Sequence, residues 1–322
     1  MIDPDTMEAQ AEPELPTGPG WRYEPKWDGF RCLAFKDGDA VRLKARSGKP
    51  LTRYFPEVAA MLSAIRAPTF VLDGELLGAG ASGYSFEALQ LRLHPAESRI
   101  RKLAAESPAT YAVFDLLLDD KGRDLRSEPL KTRHAALERF VKKYNPPRLE
   151  LTPGTEDRAT AESWLADGKL EGVVAKRLED PYREGERAMV KVKRQRTADC
   201  VVGGFRYASK GKLVASLLLG LYNAAGKLDH VGFTSGIAAA DKPALTKRLE
   251  ALRGGAGFTG DAPGGPSRWA TERSAAWEPV KPKIVVEVGF DHVTGGRFRH
   301  GTRLLRFRPD KAPRQCTFEQ IA

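Results

Sequence analysis

A change of residue pattern at positions 196–199 (Arg-Thr-Ala-Asp) divides this chain of 322 residues into two parts. Before it, helix-like segments with apolar residues three or four apart alternate with short apolar strands. After it, short strands recur at even spacing, interrupted by one helical stretch at 240–252. Because a domain usually spans about 100–200 residues, the length accommodates two cores. The sequence predicts a mixed α+β domain over 21–197 and a small β barrel or sandwich over 198–322.

The positive charge is concentrated in the second part. The formal net charge is +10 and the pI is about 9.5. From Asp199 onward there are 19 Lys and Arg against 11 Asp and Glu, whereas the preceding residues hold 33 against 31. Such a bias favours polyanionic partners. This concentration of positive charge fits binding of a sugar-phosphate backbone, or a site that closes over a triphosphate.

Several classes of protein are disfavoured by composition. No apolar run approaches the ~18 residues of a membrane-spanning helix, and no secretory signal is visible, so we expect no membrane association. The cysteines are far apart, no CxxC occurs and the histidines lack ligand spacing, which disfavours a structural zinc site. Few cysteines and no signal predict a cytoplasmic location. Residues 1–20, rich in proline, glutamate and glycine, are expected to form a flexible lead-in.

The stretch 24–31, Glu-Pro-Lys-Trp-Asp-Gly-Phe-Arg, is the strongest candidate for chemistry. It places Lys26 and Arg31 on either side of an Asp-Gly pair, directly before a strand-like segment. Other polar or aromatic candidates follow along the chain, mostly at strand ends: Arg46, Glu75, Phe114, Glu171, Lys191, Lys193, Arg308, Asp310 and Lys311.

Each candidate alone has an ordinary structural interpretation. A Glu-Gly pair is usually a turn, and Lys191 and Lys193, two apart, are typical of the solvated face of an edge strand. No Walker sequence is present and no GxGxxG precedes a helix, so a bound nucleotide would need a different type of site.

Together and in this order, the candidates resemble the motifs of the covalent nucleotidyltransferase superfamily, which includes ATP- and NAD-dependent DNA ligases, RNA ligases and mRNA capping enzymes. Lys26-x-Asp28-Gly29 is similar to its nucleophile motif. The chain most resembles the stand-alone bacterial ATP-dependent DNA ligases of the LigC type. The similar stretches are YEPKWDGFRC, LTRYFPEV, DGEL, FEALQLRLHPAESR, VFDLL, EGVVAKR, VKVKRQRTADCVVGGFR, SLLLGLY, RFRH and RPDKAPRQC, between residues 23 and 318.

This resemblance implies a fold and a reaction. The fold is an α+β nucleotidyltransferase (adenylation) domain with antiparallel sheets over 21–197, followed by a β-barrel OB-fold domain over 198–322. The reaction is ATP-dependent sealing of 3′-OH/5′-phosphate nicks in DNA, through a lysyl-AMP and an adenylylated DNA 5′ end, in DNA repair. The expected cofactors are ATP and Mg²⁺ or Mn²⁺. The expected partners are nicked double-stranded DNA and repair polymerases, and the protein is expected to be a monomer.

The resemblance also implies roles for individual residues. Lys26 is the expected nucleophile, and nearby cations are expected to disfavour its protonated form, since a free lysine has a pKa near 10.4. The expected catalytic set is Lys26, Arg31, Lys191 and Lys193. The expected ATP- or AMP-binding set is Glu24, Lys26, Arg31, Arg46, Glu75, Phe114, Lys191, Lys193, Arg308 and Lys311, with Asp310 beside the last two. Glu171 and Glu75 are the expected metal ligands, and Arg46, Arg297 and Arg299 the expected DNA contacts.

Three other interpretations remain open at the level of sequence. A GTP-using capping enzyme shares the KxDG motif, although no phosphatase or methyltransferase segment accompanies it here. An RNA ligase shares the chemistry. A non-catalytic nucleic-acid-binding protein with a decayed transferase domain would lack some of the catalytic positions, all of which are filled. The absence of recognisable zinc and helix-hairpin-helix modules favours ATP over NAD⁺.

Overall fold

The computed structural model describes residues 2–80, 83–167, 170–194, 196–209, 211–264 and 276–321. The chain divides into two compact units, Met1–Arg194 and Gln195–Ala322. Among the described helices, none has the length and apolar character needed to cross a membrane.

The first unit combines strands and helices. Its strands are β1 (Ala9–Ala11), β2 (Trp21–Lys26), β3 (Phe30–Asp37), β4 (Ala40–Ala45), β5 (Thr69–Leu77), β6 (Ala79–Gly80), β7 (Gly83–Tyr84), β8 (Thr110–Leu118), β9 (Leu149–Leu151), β10 (Gly172–Arg177) and β11 (Met189–Lys193). Its helices are α1 (Pro56–Ser63), α2 (Phe86–Gln90), α3 (Glu97–Glu106), α4 (Leu130–Tyr144) and α5 (Arg158–Asp167), with a 3-10 turn at Thr52–Tyr54.

A four-stranded sheet, here called the small sheet, has the order β1-β11-β10-β2. The pair β1–β11 is parallel and the other pairs are antiparallel. One face is apolar: Tyr23, Val173 and Val192 are buried there in a cluster that includes Ala161 of α5. Because side chains alternate along a strand, the residues between these lie on the opposite face.

A five-stranded sheet, here called the large sheet, has the order β4-β3-β5-β8-β9. On one face, Leu62 of α1 and Leu137 of α4 belong to the principal apolar cluster of the unit. On the other face, Leu33 and Leu117 cluster with Met189 of the small sheet. Strand β8, between β5 and β9, is consequently buried along its whole length. The two sheets thus face each other.

Two features differ from the sequence-based expectations. The sheets are mixed, not purely antiparallel, because β1–β11 and β8–β9 are parallel pairs. In addition, part of the expected flexible lead-in is a strand: Ala9–Ala11 pairs with residues 189–191, and Met7 and Leu15 are buried. The composition of 1–20 does not reveal this, because the partner strand is remote in sequence.

The second unit is mainly β. Its strands are β12 (Arg196–Tyr207), β13 (Val214–Tyr222), β14 (Leu228–Thr234), β15 (Glu278–Pro279), β16 (Val285–Phe290), β17 (Val293–Thr294), β18 (Arg297–Phe298) and β19 (Arg303–Phe307). The helix α6 (Lys242–Glu250) and 3-10 turns at Ala239–Asp241, Pro313–Gln315 and Phe318–Ile321 complete it.

The main sheet of this unit has the order β14-β13-β12-β16-β19, with β15 beside β12 and a separate β17–β18 hairpin. An isolated bridge, Thr234 to Thr302, links β14 to the residue that precedes β19. Among the described strands the pairings do not form a closed barrel, so the OB fold stays a prediction.

A buried lysine ties α1 to the large sheet. Lys36 of β3 is 4% exposed, and its Nζ donates to the carbonyl oxygens of Leu62, Ser63 and Ile65 at the end of α1. Carbonyl groups at a helix C-terminus have no partners within the helix, and a cation stabilises them.

We expect Lys36→Met to lower the free energy of unfolding by about 2 kcal/mol, because these carbonyls would lose a charged donor. Chemical denaturation measures this. Lys142→Met is the matched control, since Lys142 lies in the last turn of α4 but is exposed. Equal stability of the two variants would contradict the role of Lys36.

A partly buried histidine, His230, predicts acid sensitivity in the second unit. The ring of His230 packs against the edge of Phe258 at 5.2 Å between centroids. Burial, and then the charges of Arg297 and Arg206, lower the pKa of His230 to about 4.

The unfolded chain, with a histidine pKa near 6.5, therefore binds more protons than the folded chain between pH 6.5 and 4. The contribution of His230 is fully present above pH 6.5 and is lost as the pH falls, at a cost on the order of 3 kcal/mol. We expect His230→Gln to flatten this part of the stability profile. A variant profile as steep as the wild-type profile would rule His230 out as the cause.

Candidate active site

Four candidate residues share one face of the small sheet. Lys26 is directly opposite Gly172 in β10, and Gly172 is opposite Lys193 in β11. Glu24 and Lys191 are both opposite Val174, one row away. Because directly paired residues of antiparallel strands project to the same side, Glu24, Lys26, Lys191 and Lys193 lie on the face opposite the α5 cluster.

The carboxylate of Glu171 joins two of these lysines. Lys26 Nζ donates to Glu171 Oε2, and Lys193 Nζ lies 3.0 Å from Oε1. The side chains are partly enclosed: that of Lys26 is 21% exposed and that of Glu171 8%. The pair that the sequence assigned to nucleophile and metal ligand is therefore in direct contact.

Gly172 makes this close arrangement sterically feasible. A Cβ at this position would lie 2.2 Å from the carbonyl oxygen of Val192. Any side chain would therefore push β10 away from β11, and with it Glu171 away from Lys193. Glycine is required here for close approach of two backbones.

Lys191 is partly buried and has other cations nearby. Burial is the main cause that lowers its pKa. The charges of Lys26, Lys193 and Arg46 lower it further. Arg46 itself is 65% exposed and lies 3.5 Å from Glu8.

Arg31 is held by a carboxylate of the large sheet. Its Nε and Nη2 donate to the two oxygens of Asp73, each at 2.6 Å. Tyr182 donates its hydroxyl to Asp73 Oδ2 at 2.7 Å and accepts the N–H of Met7 at 3.0 Å. The charge of Arg31 is thus matched locally, and its influence on Lys26 stays a prediction.

Phe114 lies at an irregularity of β8. Asp73 is paired with Asp115 and Gly74 with Val113, so the register skips Phe114. A bulge of this kind redirects a side chain. Two cations approach the ring, Arg31 and Lys176, each 4.4 Å from its centroid. The ring that the resemblance assigns to the ATP- or AMP-binding set therefore lies beside one cation of each sheet, Arg31 of the large sheet and Lys176 of the small sheet.

Glu24 is buried in a network of ion pairs that the sequence motifs do not predict. It lies 2.6 Å from Lys176 Nζ and 3.0 Å from Arg22 Nε. Arg22 also contacts His134 Nε2 at 2.7 Å. Alternation along β10 could have identified Lys176, since it follows Gly172 and Val174 on the same face.

Glu75 is opposite Arg31 in the large sheet. Burial raises the pKa of Glu75 to about 7, although Arg31 and Lys26 act in the opposite direction. Both cations are therefore near this carboxyl group, which changes charge near neutral pH. The backbone N–H of Gly29 also bonds it, and a Cβ at Gly29 would meet the carbonyl oxygen of Leu76 at 2.2 Å.

The remaining candidates belong to the second unit. Arg308 Nη1 donates to Asp199 at 3.0 Å, and Lys311 Nζ donates to the same carboxylate at 2.7 Å. Arg308 also binds Asp310 and holds the pKa of that carboxyl at about 2.

The two arginines expected to contact DNA lie in or beside β18. Arg297 is 46% exposed and lies 3.4 Å from Asp261. Arg299 follows β18, and its backbone N–H donates to the carbonyl of His292 at 2.9 Å.

The first unit thus assembles a lysine touching a carboxylate, two more lysines on the same face, and an aromatic ring beside them. Such a set suits covalent transfer of a nucleotidyl group, which requires a nucleophile and compensation of phosphate charge more than acid–base catalysis.

The family assignment agrees with this class. The family model described as ATP dependent DNA ligase domain matches residues 10–193. That described as ATP dependent DNA ligase C terminal region matches residues 210–311. The chain belongs to the ATP-dependent DNA ligase family.

Individual proteins are similar over nearly the whole chain. DNA ligase C1 of Mycolicibacterium smegmatis is 43% identical over 331 residues, covering 98% of this chain and 93% of that protein. DNA ligase C of Mycobacterium tuberculosis is 40% identical over 94% of this chain and 90% of its own length. A solved mycobacterial DNA ligase D complexed with ATP is 30% identical, with 98% of both chains covered and a TM-score of 0.52.

We expect Gly172→Ala to reduce covalent nucleotide transfer about 10²-fold, because small displacements of reacting groups are costly. A single-turnover labelling assay measures this. Gly236→Ala is the matched control, since a Cβ at Gly236 has open space around it. Retention of full activity by Gly172→Ala would show that the contact between β10 and β11 tolerates expansion.

Proposed function

We propose that this protein seals 3′-OH/5′-phosphate nicks in DNA with ATP, and that Lys26 carries AMP as a covalent intermediate. The observation that carries the proposal is the position of Lys26: it touches Glu171 and shares a sheet face with Lys191 and Lys193. The family membership of the chain supports the same reaction.

In the first step, Lys26 Nζ attacks the α-phosphorus of ATP, the N–P bond forms and pyrophosphate leaves. The attacking amine must first lose its proton. Glu171 is in contact with Lys26 Nζ and could accept it, while Lys191 and Lys193 disfavour a further positive charge nearby. The same two lysines would compensate the charge of the α-phosphate. In the later steps AMP passes to the DNA 5′-phosphate, and the 3′-OH displaces it.

Phe114 offers a surface on which adenine would stack, with Arg31 and Lys176 now beside the ring. Glu24 accepts and Lys176 donates hydrogen bonds next to this ring. Such a pair matches the adenine edge, which presents an N6 donor beside an N1 acceptor. Glu75 is assigned to the ribose, and Arg46 to the ribose and the nick phosphate.

The carboxylate of Glu171 fits a hard divalent cation, since Mg²⁺ and Mn²⁺ prefer oxygen ligands. Its two oxygens now contact Lys26 and Lys193, so metal binding would compete with these ion pairs. When bound, the cation would neutralise phosphate charge and disfavour protonation of Lys26. Glu75 is the second proposed ligand.

The division into an adenylation domain (21–197) and an OB domain (198–322) is part of the proposal. The bridge between Thr234 and Thr302 and the basic excess of the second part support a DNA-binding OB domain. Arg297 and Arg299 are its proposed DNA contacts, and Arg308 and Lys311 its pyrophosphate contacts. We further propose a monomer that acts in cytoplasmic DNA repair with repair polymerases.

We expect Lys26→Ala to abolish labelling by radioactive ATP, a loss of at least about 10³-fold, because the nucleophile is removed. Incubation with ATP, GTP or NAD⁺ in parallel, followed by a chase with nicked DNA, RNA or mixed duplexes, measures both donor and acceptor. Lys131→Ala is the matched control, an exposed lysine paired with Glu179 at 2.6 Å.

Labelling of wild-type protein by GTP alone would replace the ligase proposal with a capping reaction. Transfer of AMP to RNA ends alone would make the protein an RNA ligase. Continued adenylylation and sealing by Lys26→Ala would show that another residue is the nucleophile.

A further inference from the structure

One buried carboxylate of the second unit connects both cations proposed to bind pyrophosphate. Asp199 lies in β12, and its side chain is 9% exposed. Arg308 Nη1 lies 3.0 Å from Oδ1 and 3.2 Å from Oδ2, and Lys311 Nζ lies 2.7 Å from Oδ2. A single oxygen atom therefore accepts hydrogen bonds from both cations.

The position of Asp199 is fixed by the backbone. Its N–H donates to Gln320 Oε1 at 3.0 Å, and its carbonyl accepts from Gln320 Nε2 at 3.1 Å. The strand is also paired with β16, where Glu287 is opposite Asp199. The carboxylate is consequently a rigid reference point, whereas arginine and lysine side chains have many rotamers.

The two cations differ in their other contacts. Arg308 uses its Nε and Nη2 to bind Asp310, an exposed carboxylate two residues away. Lys311 Nζ donates to Asp199, which lies 112 residues earlier in the chain. Glu287 Oε2 also lies 3.8 Å from Arg308 Nη1, whereas Asp199 contacts both cations. Without this shared carboxylate, the two like charges would repel each other and the long side chains would separate.

We propose that Asp199 is a positioning residue for pyrophosphate: it holds Arg308 and Lys311 against one carboxylate, so that both cations face the same ligand. The proposal rests on the function proposed above for these two cations. It goes further because it assigns the positioning of Arg308 and Lys311 to a residue outside the stretch 308–311. We assign Asp199 no direct contact with ATP or DNA. It acts through the two cations.

The step that Asp199 should affect is formation of the lysyl-AMP, in which pyrophosphate is released, and its reversal, in which pyrophosphate binds and reacts. In the forward direction pyrophosphate leaves as the Lys26 N–P bond forms. In the reverse direction pyrophosphate attacks that phosphorus, ATP is regenerated and the amine is released. Sealing of a nick that already carries AMP involves no pyrophosphate. Asp199→Asn should therefore affect the first step and spare sealing.

The experiment measures the pyrophosphate concentration dependence of ATP formation from the isolated AMP-protein, together with sealing of a pre-adenylylated nick. We expect Asp199→Asn to raise the half-saturating pyrophosphate concentration about ten- to a hundredfold, with a sealing rate near wild type. Glu278→Gln is the matched control, since Glu278 pairs with Arg253 in the same unit at 2.6 Å.

An unchanged or lower half-saturating concentration would overturn the proposal, and so would an equal loss of both reactions, which would indicate a structural role. If the wild-type protein forms no AMP adduct at all, the function proposed above fails instead. Should Asp199→Asn not fold, Gln320→Ala keeps the carboxylate and loosens its anchor. Gln320→Ala should produce a smaller rise in the half-saturating pyrophosphate concentration. An unchanged concentration would again contradict the proposal.

Discussion

The contact of Glu171 with both Lys26 and Lys193 is the interaction on which the site depends. It joins groups projecting from β2 and β11 through the residue that precedes β10. The contact of Glu171 with Lys193 requires β11 to approach β10 closely, and Gly172 permits this because a Cβ at this position would overlap the carbonyl of Val192. A charged cluster of this kind is stable only when each charge is compensated.

Charge compensation also explains how the facing sheets form one site. The small sheet supplies the lysines and Glu24, and the large sheet supplies Asp73 and its partner Arg31. Phe114 lies where cations from the two sheets meet, since Arg31 and Lys176 both approach its ring. Carboxylates accept hydrogen bonds from these cations: Asp73 from Arg31, and Glu24 from Lys176.

The sequence predicted part of the arrangement of the candidate site. Alternation places Lys191 and Lys193 on one face, and the family resemblance selected Lys26, Glu171 and Phe114 as candidates. It did not predict that Lys26 contacts Glu171, because the register between distant strands is set by packing. The skipped position at Phe114 and the pairing of β1 with β11 likewise depend on residues remote in sequence. Lys176 and Asp199 were not among the candidates because their ion-pair partners, Glu24 for the one and Arg308 and Lys311 for the other, lie far away in the sequence.

Locating the covalently bound AMP tests most directly whether Lys26 is the nucleophile. The protein is incubated with ATP and a divalent metal and digested, and the modified peptide is sequenced by mass spectrometry. We expect a single adduct, on the side chain of Lys26. An adduct on Lys191, Lys193 or any other residue, with Lys26 unmodified, would contradict it.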